Sequence, residues 1–155
     1  VLVVETMRKI IAEVEKKEYR YNREEYLKPQ PHSPSFHSDA ICYNACKISD
    51  DVDAKALIGM TQSGYTAFML SSYRPLSPLF IFTKERSLVN QLSLSWGVRA
   101  FYYSEEDSLD DIINDQINIL RERGFLNPGD VVVNTGSTPV DQHLPTNIIK
   151  LTKVV

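Results

Sequence analysis

The apolar positions of this chain follow a helical period in some segments and form continuous runs in others. Near the N-terminus they recur every three or four positions, which predicts a helix over residues 5–26. Prolines at every second or third position of the next segment exclude a helix there and favour an extended linker. We therefore expect one domain over 1–155, composed of an N-terminal helix within 1–26, a proline-rich linker over 27–38 and an α/β core over 39–155. The apolar stripe of the first helix consists of Met7, Ile10, Ile11 and Val14.

Short apolar runs separated by amphipathic segments predict a parallel sheet. Each run suits a strand that is covered on both faces, and each intervening segment suits a helix that crosses over to the next strand. Right-handed crossovers place helices on both faces, so we expect a three-layer α/β/α fold with a five-stranded, mostly parallel sheet. Buried strands are predicted at 56–61, 79–82, 98–103 and 131–133, with helices at 64–73, 83–96 and 108–123 between them.

Two further elements complete the predicted fold. Ser38 is a candidate N-cap for a helix that precedes the first strand. The last strand, over 147–155, carries lysines that are typical of an exposed edge. Because no helix is predicted over 137–146, this strand must return antiparallel beside the fourth strand, at or near the edge of the sheet.

The turn that leaves the first strand and opens a helix is the best candidate for a ligand site. A helix start offers unpaired N–H groups and a positive partial charge, so anions bind there. Hydroxyl side chains add hydrogen-bond donors, and Gly64 lets a ligand approach the backbone closely. We predict that this turn holds a phosphate group; the alternative is that Ser63 only caps the helix. The turn consists of Thr61, Gln62, Ser63, Gly64, Tyr65 and Thr66.

A second hydroxyl-rich segment leaves the fourth strand. Ligands of open α/β sheets bind at the carboxyl ends of strands, where the winding reverses. If the first and fourth strands are neighbours, this segment faces the first turn across that point; otherwise it is a plain turn. The segment covers 134–139, and its candidate binding residues are Thr135, Gly136, Ser137 and Thr138.

Neither segment carries a nucleotide-binding or nucleophile signature. The first turn lacks the Gly-Lys-Ser/Thr of a P-loop and the spaced glycines of a dinucleotide fold. A nucleophile elbow requires a glycine two residues before Ser63, where Thr61 stands. No Ser/His/Asp or paired-carboxylate arrangement stands out, and Cys42, Cys46 and the scattered histidines do not make a zinc set. The sequence therefore predicts no catalytic residue, no metal ligand and ordinary buried thiols.

Composition excludes further classes of function. The 155 residues carry a net charge of -3, which gives no long-range attraction to nucleic acid or to an anionic membrane. The sequence contains neither a signal peptide nor an apolar run of about 18 residues, and its cysteines suit a reducing compartment, so we expect a cytoplasmic protein. It opens in mid-pattern without an initiator methionine, from which we expect a fragment of a longer protein.

Several short motifs run in a characteristic order along the chain. They are Glu-Thr-Met at 5–7 with Ile10, Ile11 and Glu13, Ser-Asp-Ala-Ile-Cys-Tyr-Asn-Ala at 38–45, Thr-Gln-Ser-Gly-Tyr-Thr-Ala at 61–67, Ser-Tyr-Arg-Pro at 72–75, Gln-Leu at 91–92, Trp-Gly-Val at 96–98, Gly-Phe-Leu at 124–126, Pro-Gly-Asp at 128–130, and Thr-Asn at 146–147 before Lys150 and Val154. In this order they resemble the C-terminal, allosteric domain of pyruvate kinase over essentially the whole chain. The motif at 61–67 is specific only because the later motifs accompany it.

The resemblance implies a five-stranded mixed sheet with an antiparallel last strand, and a sugar-phosphate effector whose phosphate lies in the 61–66 turn. It also implies a homotetrameric parent enzyme of glycolysis that transfers a phosphoryl group from phosphoenolpyruvate to ADP. Magnesium and potassium would be bound in a catalytic domain that precedes this one. Because the metal-binding carboxylates and the catalytic lysine and arginines of that domain are absent here, we expect this chain to be inactive alone and to hold no cofactor.

Two departures from the family pattern bear on the effector. Activated relatives often have Thr-Gly-Trp-Arg-Pro-Gly where this chain has Thr-Gly-Ser-Thr-Pro-Val at 135–140. The arginine that meets the second phosphate of fructose 1,6-bisphosphate in some relatives falls at Ile112. We therefore expect a monophosphate, either a sugar monophosphate or AMP, rather than fructose 1,6-bisphosphate, or a domain without a regulator. The alternative function is a stand-alone ligand-binding or interaction module of the same fold without enzymatic activity.

Overall fold

A single twisted sheet forms the centre of the molecule. The computed structural model describes residues 2–16, 28–104, 108–142 and 144–155. Its strands are β1 (Ala56–Met60), β2 (Leu79–Thr83), β3 (Val98–Tyr102), β4 (Val131–Gly136) and β5 (Ile148–Lys153). They lie in the order β3-β2-β1-β4-β5, with β1 to β4 parallel and β5 antiparallel to β4. The predicted five-stranded sheet, with its last strand antiparallel at the edge, is confirmed.

Helices cover both faces of this sheet. Within the described residues they are α1 (Leu2–Lys16), α2 (Phe36–Asp51), α3 (Tyr65–Ser72), α4 (Arg86–Leu92) and α5 (Leu109–Glu122). Helices α2, α3 and α4 pack on one face through a shared apolar cluster, and α5 packs on the other face through a second cluster. This three-layer arrangement follows from the crossovers, because α3 and α4 connect β1, β2 and β3 in one direction while α5 returns to β4 on the opposite side.

The return from β4 to β5 differs in detail from the prediction. A single 3₁₀ turn, Val140–Gln142, lies in the segment where no helix was predicted. The connection is too short to carry a crossover helix to the far end of the sheet, so β5 pairs antiparallel, with Val132 opposite Thr152.

The helix before β1 begins earlier than its sequence pattern predicted. Ser35, not Ser38, is the N-cap of α2, and the helix already includes Phe36 and residue 38. The Ser38 hydroxyl lies inside the helix and donates to the Ser35 carbonyl at 3.0 Å. Pro34 precedes the cap, where a residue without an N–H group breaks no helical hydrogen bond. The predicted linker therefore ends at the start of α2, and the core begins before residue 39.

The N-terminal helix presents its apolar stripe to solvent. Every side chain described in α1, over residues 2–14, is exposed, including Met7 and Ile10. The predicted continuation over 17–26 lies outside the described residues. No helix among the residues described is long and apolar enough to cross a membrane.

Burial of the Cys42 thiol in α2 makes the stability of the domain sensitive to alkaline pH. Cys42 is fully buried, and desolvation, with a smaller contribution from Asp39, raises the pKa of its thiol to about 12. Desolvation also raises the pKa of Tyr73, which packs in the same cluster. In the unfolded chain the thiol loses its proton near pH 8.5, whereas the folded chain keeps it, so stability is lost as pH rises from about 8.5 to about 12.

We expect the free energy of unfolding to fall between about pH 8 and about pH 10, with Cys42 contributing up to about 1.4 kcal/mol per pH unit above its unfolded pKa. The replacement Cys42→Ala should flatten this dependence, although it also leaves a small cavity that lowers stability at every pH. Urea unfolding of both proteins across this range measures the two slopes. Equal slopes would contradict a thiol that stays protonated because it is buried.

Candidate functional site

A large cavity lies where the carboxyl ends of β1 and β4 meet. These strands are direct neighbours, with Gly59 opposite Thr135, and the winding of the sheet reverses between them. The cavity has a volume of about 1140 Å³, enough for a small organic ligand. It brings together all but one of the predicted site residues: Thr61, Gln62, Ser63, Tyr65, Thr66, Thr135, Gly136, Ser137 and Thr138.

The first turn is built around Gly64. Its φ of 88° lies in the left-handed region that favours glycine, and its N–H donates to the Thr61 hydroxyl at 3.0 Å. Gly64 is therefore the N-cap of α3, and the helix begins at Tyr65. Ser63 does not occupy the cap position; its hydroxyl accepts only a long hydrogen bond, 3.4 Å, from the Tyr65 N–H. The Ser63 hydroxyl thus stays available at the rim of the cavity.

Gly64 is needed for a different reason from the predicted one. It does not line the cavity, and a Cβ atom there would lie 3.0 Å from Leu88 Cδ1 and 3.2 Å from Phe68 Cε2. Its open side therefore faces α4 and its own helix, not a ligand. The glycine shapes the turn, while other residues of the turn face the cavity.

Two buried threonine hydroxyls meet at the start of α3. The Thr66 Oγ1 atom lies 2.7 Å from the Oγ1 atom of Thr146, and both residues line the cavity. Since each hydroxyl has one proton, this contact uses one and leaves the other for a ligand. Sequence reasoning used Thr146 only as part of a family motif, because nothing in the local pattern relates residues 80 positions apart.

The second segment contributes less than predicted. Strand β4 extends to Gly136, three residues beyond its predicted end, so Thr135 belongs to the sheet. The Thr135 hydroxyl donates to the Ile58 carbonyl at 3.3 Å and is therefore already engaged. Only the part from residue 137 onward is a loop, and Asn147 holds it through bonds of 2.9 Å and 2.8 Å to the backbone of Thr138.

Residues of the proline-rich segment form one wall of the cavity. Ser35 and His37 line it, and the buried Asp39 carboxylate accepts hydrogen bonds from Ser35 at 2.7 Å and from the Tyr65 phenol at 2.5 Å. The hydrogen bond to Asp39 is the main cause that raises the pKa of Tyr65. This network ties the segment to the first turn. Its only signal in the sequence is the run of small polar residues around Pro34, which also suits a plain linker.

The electrostatic character of the cavity suits an anion. Among the lining residues that the structure describes, Lys84 and His37 are the basic ones, and none is an aspartate or a glutamate. Lys84 directly follows β2, whose Phe82 carbonyl accepts a hydrogen bond from the Thr61 N–H at 3.0 Å. A cation therefore lies next to the turn whose helix start carries a positive partial charge.

The side chains that most often bind metals are dispersed in the described part of the chain. Within the described ranges, no group of three or more His, Cys, Asp or Glu side chains could hold a metal ion. Cys42 and Cys46 are both buried and not joined in a disulfide, as predicted.

Comparison with known proteins identifies the family of this chain. The family model described as "Pyruvate kinase, alpha/beta domain" matches residues 39–152. The chain belongs to the pyruvate kinase family. The match covers the sheet except Lys153, the last residue of β5, and begins three residues after the first residue of α2. The cavity residues Ser35 and His37 therefore precede it.

Individual pyruvate kinases are similar over nearly the whole chain. That of Clostridium acetobutylicum is 31% identical over 149 residues, which cover 96% of this chain and 31% of the relative. That of Mycobacterium tuberculosis is 31% identical over 151 residues, 97% of this chain and 31% of the relative. A crystal structure of a pyruvate kinase from Cryptosporidium parvum shares the fold, with a TM-score of 0.71 and 22% identity over 82% of this chain and 24% of that chain. The chain thus spans between about a quarter and about a third of the length of these pyruvate kinases.

Proposed function

We propose that this chain is the regulatory C-terminal domain of a pyruvate kinase and that it binds a phosphorylated effector in the cavity at the end of β1. The observation that carries the proposal is the turn at 61–66. It directs a helix start and the Ser63 hydroxyl at a cavity whose described lining contains no carboxylate. Backbone N–H groups, hydroxyls and a nearby lysine are the groups that bind phosphate in proteins.

The described lining favours one phosphate group over two. Ile112 lies buried in the wall, and no arginine lines the cavity within the described residues. A second phosphate would lack the bidentate partner that an arginine provides. The proposed effector is therefore a phosphate monoester, such as a sugar monophosphate or AMP, rather than fructose 1,6-bisphosphate.

The proposal includes a catalytic domain as partner. The relatives are about three times longer than this chain, and the exposed apolar stripe of α1 offers a surface that another domain can cover. We assign the transfer of a phosphoryl group from phosphoenolpyruvate to ADP to that domain, with its magnesium and potassium. The edge strand β5, whose residues are half-buried or exposed, offers a surface for contacts between subunits in the proposed oligomer.

The Ser63→Ala variant tests the effector site. Calorimetry of the 155-residue chain with inorganic phosphate, glucose 6-phosphate and AMP should give a Kd near 1 mM or tighter for at least one monoester, which corresponds to about -4.1 kcal/mol. Removing the Ser63 hydroxyl deletes a hydrogen bond to a charged group, so we expect Kd to rise about tenfold.

Two serine variants serve as controls. Ser93→Ala removes an exposed hydroxyl that bonds to the Asn90 carbonyl and lies outside the cavity, so the affinity should not change. Ser137→Ala removes a lining hydroxyl of the second segment and should have a smaller effect than Ser63→Ala. If Ser63→Ala and the unmodified chain bind the ligand with equal affinity, the phosphate does not bind at Ser63.

A further inference from the structure

The first turn of α3 is held from two sides by hydrogen bonds to distant parts of the chain. The Tyr65 phenol donates to the Asp39 carboxylate in α2 at 2.5 Å, and the Thr66 hydroxyl lies 2.7 Å from that of Thr146, which precedes β5. Consecutive residues of a helix point about 100° apart, so the two contacts brace the helix start in different directions. The local bond to the Tyr65 N–H is weak, since the Ser63 hydroxyl lies 3.4 Å away. The direction of this helix start therefore depends on tertiary contacts.

Asp39 is well suited to hold Tyr65 in place. It is only 8% exposed, and a buried charge is stable only when it is paired or hydrogen-bonded. Both of its oxygens are engaged, because Oδ1 accepts from Tyr65 and Oδ2 accepts from the Ser35 hydroxyl at 2.7 Å. Asp39 also lies in the first turn of α2, where the positive end of the helix dipole favours a negative charge. Releasing Tyr65 would leave one oxygen of a buried carboxylate without a partner, so this bond is costly to break.

The same carboxylate organises the segment that leads into α2. Its partner Ser35 is the N-cap of the helix, and the Ser35 hydroxyl also lies 2.9 Å from the Ser33 hydroxyl. Backbone bonds continue these contacts, from the Phe36 N–H to the Ser33 carbonyl at 3.0 Å and from the Asp39 N–H to the Ser35 carbonyl at 2.9 Å. One carboxylate thus contacts both residues 33–39 and the 61–66 turn.

From these contacts we infer that Asp39 is a positioning residue, which couples the order of residues 33–39 to that of the 61–66 turn through Tyr65. Asp39 does not line the cavity, so it acts on a ligand through the residues that it holds. An ordered start of α2 fixes the helix start at which the phosphate binds, and a bound phosphate in turn keeps the Tyr65 phenol in place for Asp39. Such coupling is reciprocal. The inference rests on the proposed function and specifies how the same site is organised.

The charge of Asp39 alone would have the opposite effect on binding. A carboxylate near a phosphate repels it, so removing a carboxylate that acts only through its charge would tighten the binding of phosphate. A positioning role predicts weaker binding, because the turn loses the contact that fixes it. The sign of the change in affinity therefore distinguishes the two roles.

Calorimetry of the 155-residue chain with inorganic phosphate measures that sign. We expect Asp39→Ala to raise Kd about fivefold, because a hydrogen bond that fixes the turn is lost. Asp39→Asn keeps an acceptor oxygen for the Tyr65 phenol without the charge, so it should recover most of the affinity that Asp39→Ala loses. Tighter or unchanged binding in Asp39→Ala would overturn the inference.

Tyr65→Phe tests whether Asp39 acts through the phenol. This variant removes only the hydroxyl and should also raise Kd about fivefold. The double variant Tyr65→Phe/Asp39→Ala should bind no more weakly than Asp39→Ala, because both changes break the same bond. A double variant whose Kd rises by the product of the single effects, about 25-fold, would show that the two residues act independently. The matched control is Tyr102→Phe, since Tyr102 is 41% exposed against 40% for Tyr65, lies outside this cavity and should leave Kd unchanged.

Hydrogen exchange tests the link between α2 and the turn without a ligand. The amides of Phe36 and Asp39 should exchange about fivefold faster in Tyr65→Phe than in the unmodified chain, because the start of α2 opens more easily. The Gly129 amide, which donates to the Val154 carbonyl at 2.8 Å beyond the opposite end of β4, is the internal reference and should keep its rate. Inorganic phosphate should slow exchange at Phe36 and Asp39 in the unmodified chain and much less in Tyr65→Phe.

The outcomes distinguish the inference from the proposed function. If inorganic phosphate binds in a Ser63-dependent way and Asp39→Ala binds it equally well, the phosphate site stands and the coupling is wrong. If neither inorganic phosphate nor a monoester binds, the proposed function is wrong, and the exchange rates alone decide on the link between α2 and the turn. Faster exchange at Phe36 and Asp39 in Tyr65→Phe then supports that link, and equal exchange overturns it.

Discussion

Replacing Gly64 with alanine is expected to lower the free energy of unfolding by about 2–4 kcal/mol and to abolish measurable phosphate binding. Part of the loss is backbone strain, because Gly64 has a φ of 88° and alanine is strained there by about 1–2 kcal/mol. The rest is steric, since the new Cβ would lie 3.0 Å from Leu88 Cδ1. Leu88 is buried in the core and cannot move away without disturbing its neighbours, whereas Phe68 on the other side is half exposed.

A second glycine separates these two contributions. Gly124 has a φ of 76°, but a Cβ atom there would meet nothing within 4 Å. Gly124→Ala should therefore show only the strain, about 1–2 kcal/mol, and it should leave phosphate binding unchanged because Gly124 lies outside the cavity. Urea unfolding of both variants measures the difference. If the two variants lose the same free energy of unfolding, the Leu88 side chain moves aside for the added methyl group without a measurable cost.

The effect on binding follows from the position of Gly64 in the turn. Its N–H donates to Thr61, and α3 begins at the next residue, so its conformation sets the direction of the first N–H groups of the helix. If the backbone relaxes to relieve the contact with Leu88, those groups turn away from the cavity. Calorimetry with inorganic phosphate checks this result; full affinity in Gly64→Ala would contradict a role of the helix start.

Most of the fold could be predicted because the relevant signals are local. The strands are short runs of apolar residues between amphipathic segments, and alternation of the two implies parallel pairing on general grounds. Helix α5 has the clearest boundaries, since the Ser108 hydroxyl caps its start and accepts from the Asp111 N–H at 3.3 Å. Local signals also identified the position of the turn at 61–66.

The directions of the hydroxyl groups could not be predicted in the same way. The Thr135 hydroxyl bonds to the Ile58 carbonyl on the neighbouring strand, and the Thr66 hydroxyl bonds to Thr146, far away in sequence. Each of these contacts depends on which strands become neighbours, and no local pattern contains that information. A sequence can therefore indicate that hydroxyls gather at a site without indicating which of them remain available.

The ends of two segments at the site also differ from the prediction, because tertiary contacts determine them and local propensity does not. Asn134 and Gly136 are poor strand formers, so the sequence predicts that β4 ends at residue 133. Pairing with β1 extends the strand to Thr135, and pairing with β5 extends it to Gly136. Similarly, Pro34 and its small polar neighbours are typical of a linker, but the bond between Asp39 and Tyr65 holds the adjacent segment at the cavity. In both places tertiary contacts override the local preference.

Asn134 provides the second prediction with a large expected effect. It is fully buried in β4, and neither its Oδ1 nor its Nδ2 atom has a hydrogen-bond partner in the part of the chain that the structure describes. Replacing it with valine removes two unpaired polar atoms and continues the run of Val132 and Val133 with a better strand former. We expect Asn134→Val to raise the free energy of unfolding by about 1–3 kcal/mol, measured by urea unfolding.

The charged counterpart should act in the opposite direction. Asn134→Asp keeps the shape of the side chain but introduces a buried carboxylate without a partner, which should cost about 3–5 kcal/mol at neutral pH. The loss should shrink as pH falls, because burial raises the pKa of a carboxyl group and protonation removes the charge. A destabilising effect of Asn134→Val would contradict the premise, since it would mean that the Asn134 amide is hydrogen-bonded in the folded protein. The sign of that one measurement thus decides whether β4 holds an uncompensated polar group at Asn134.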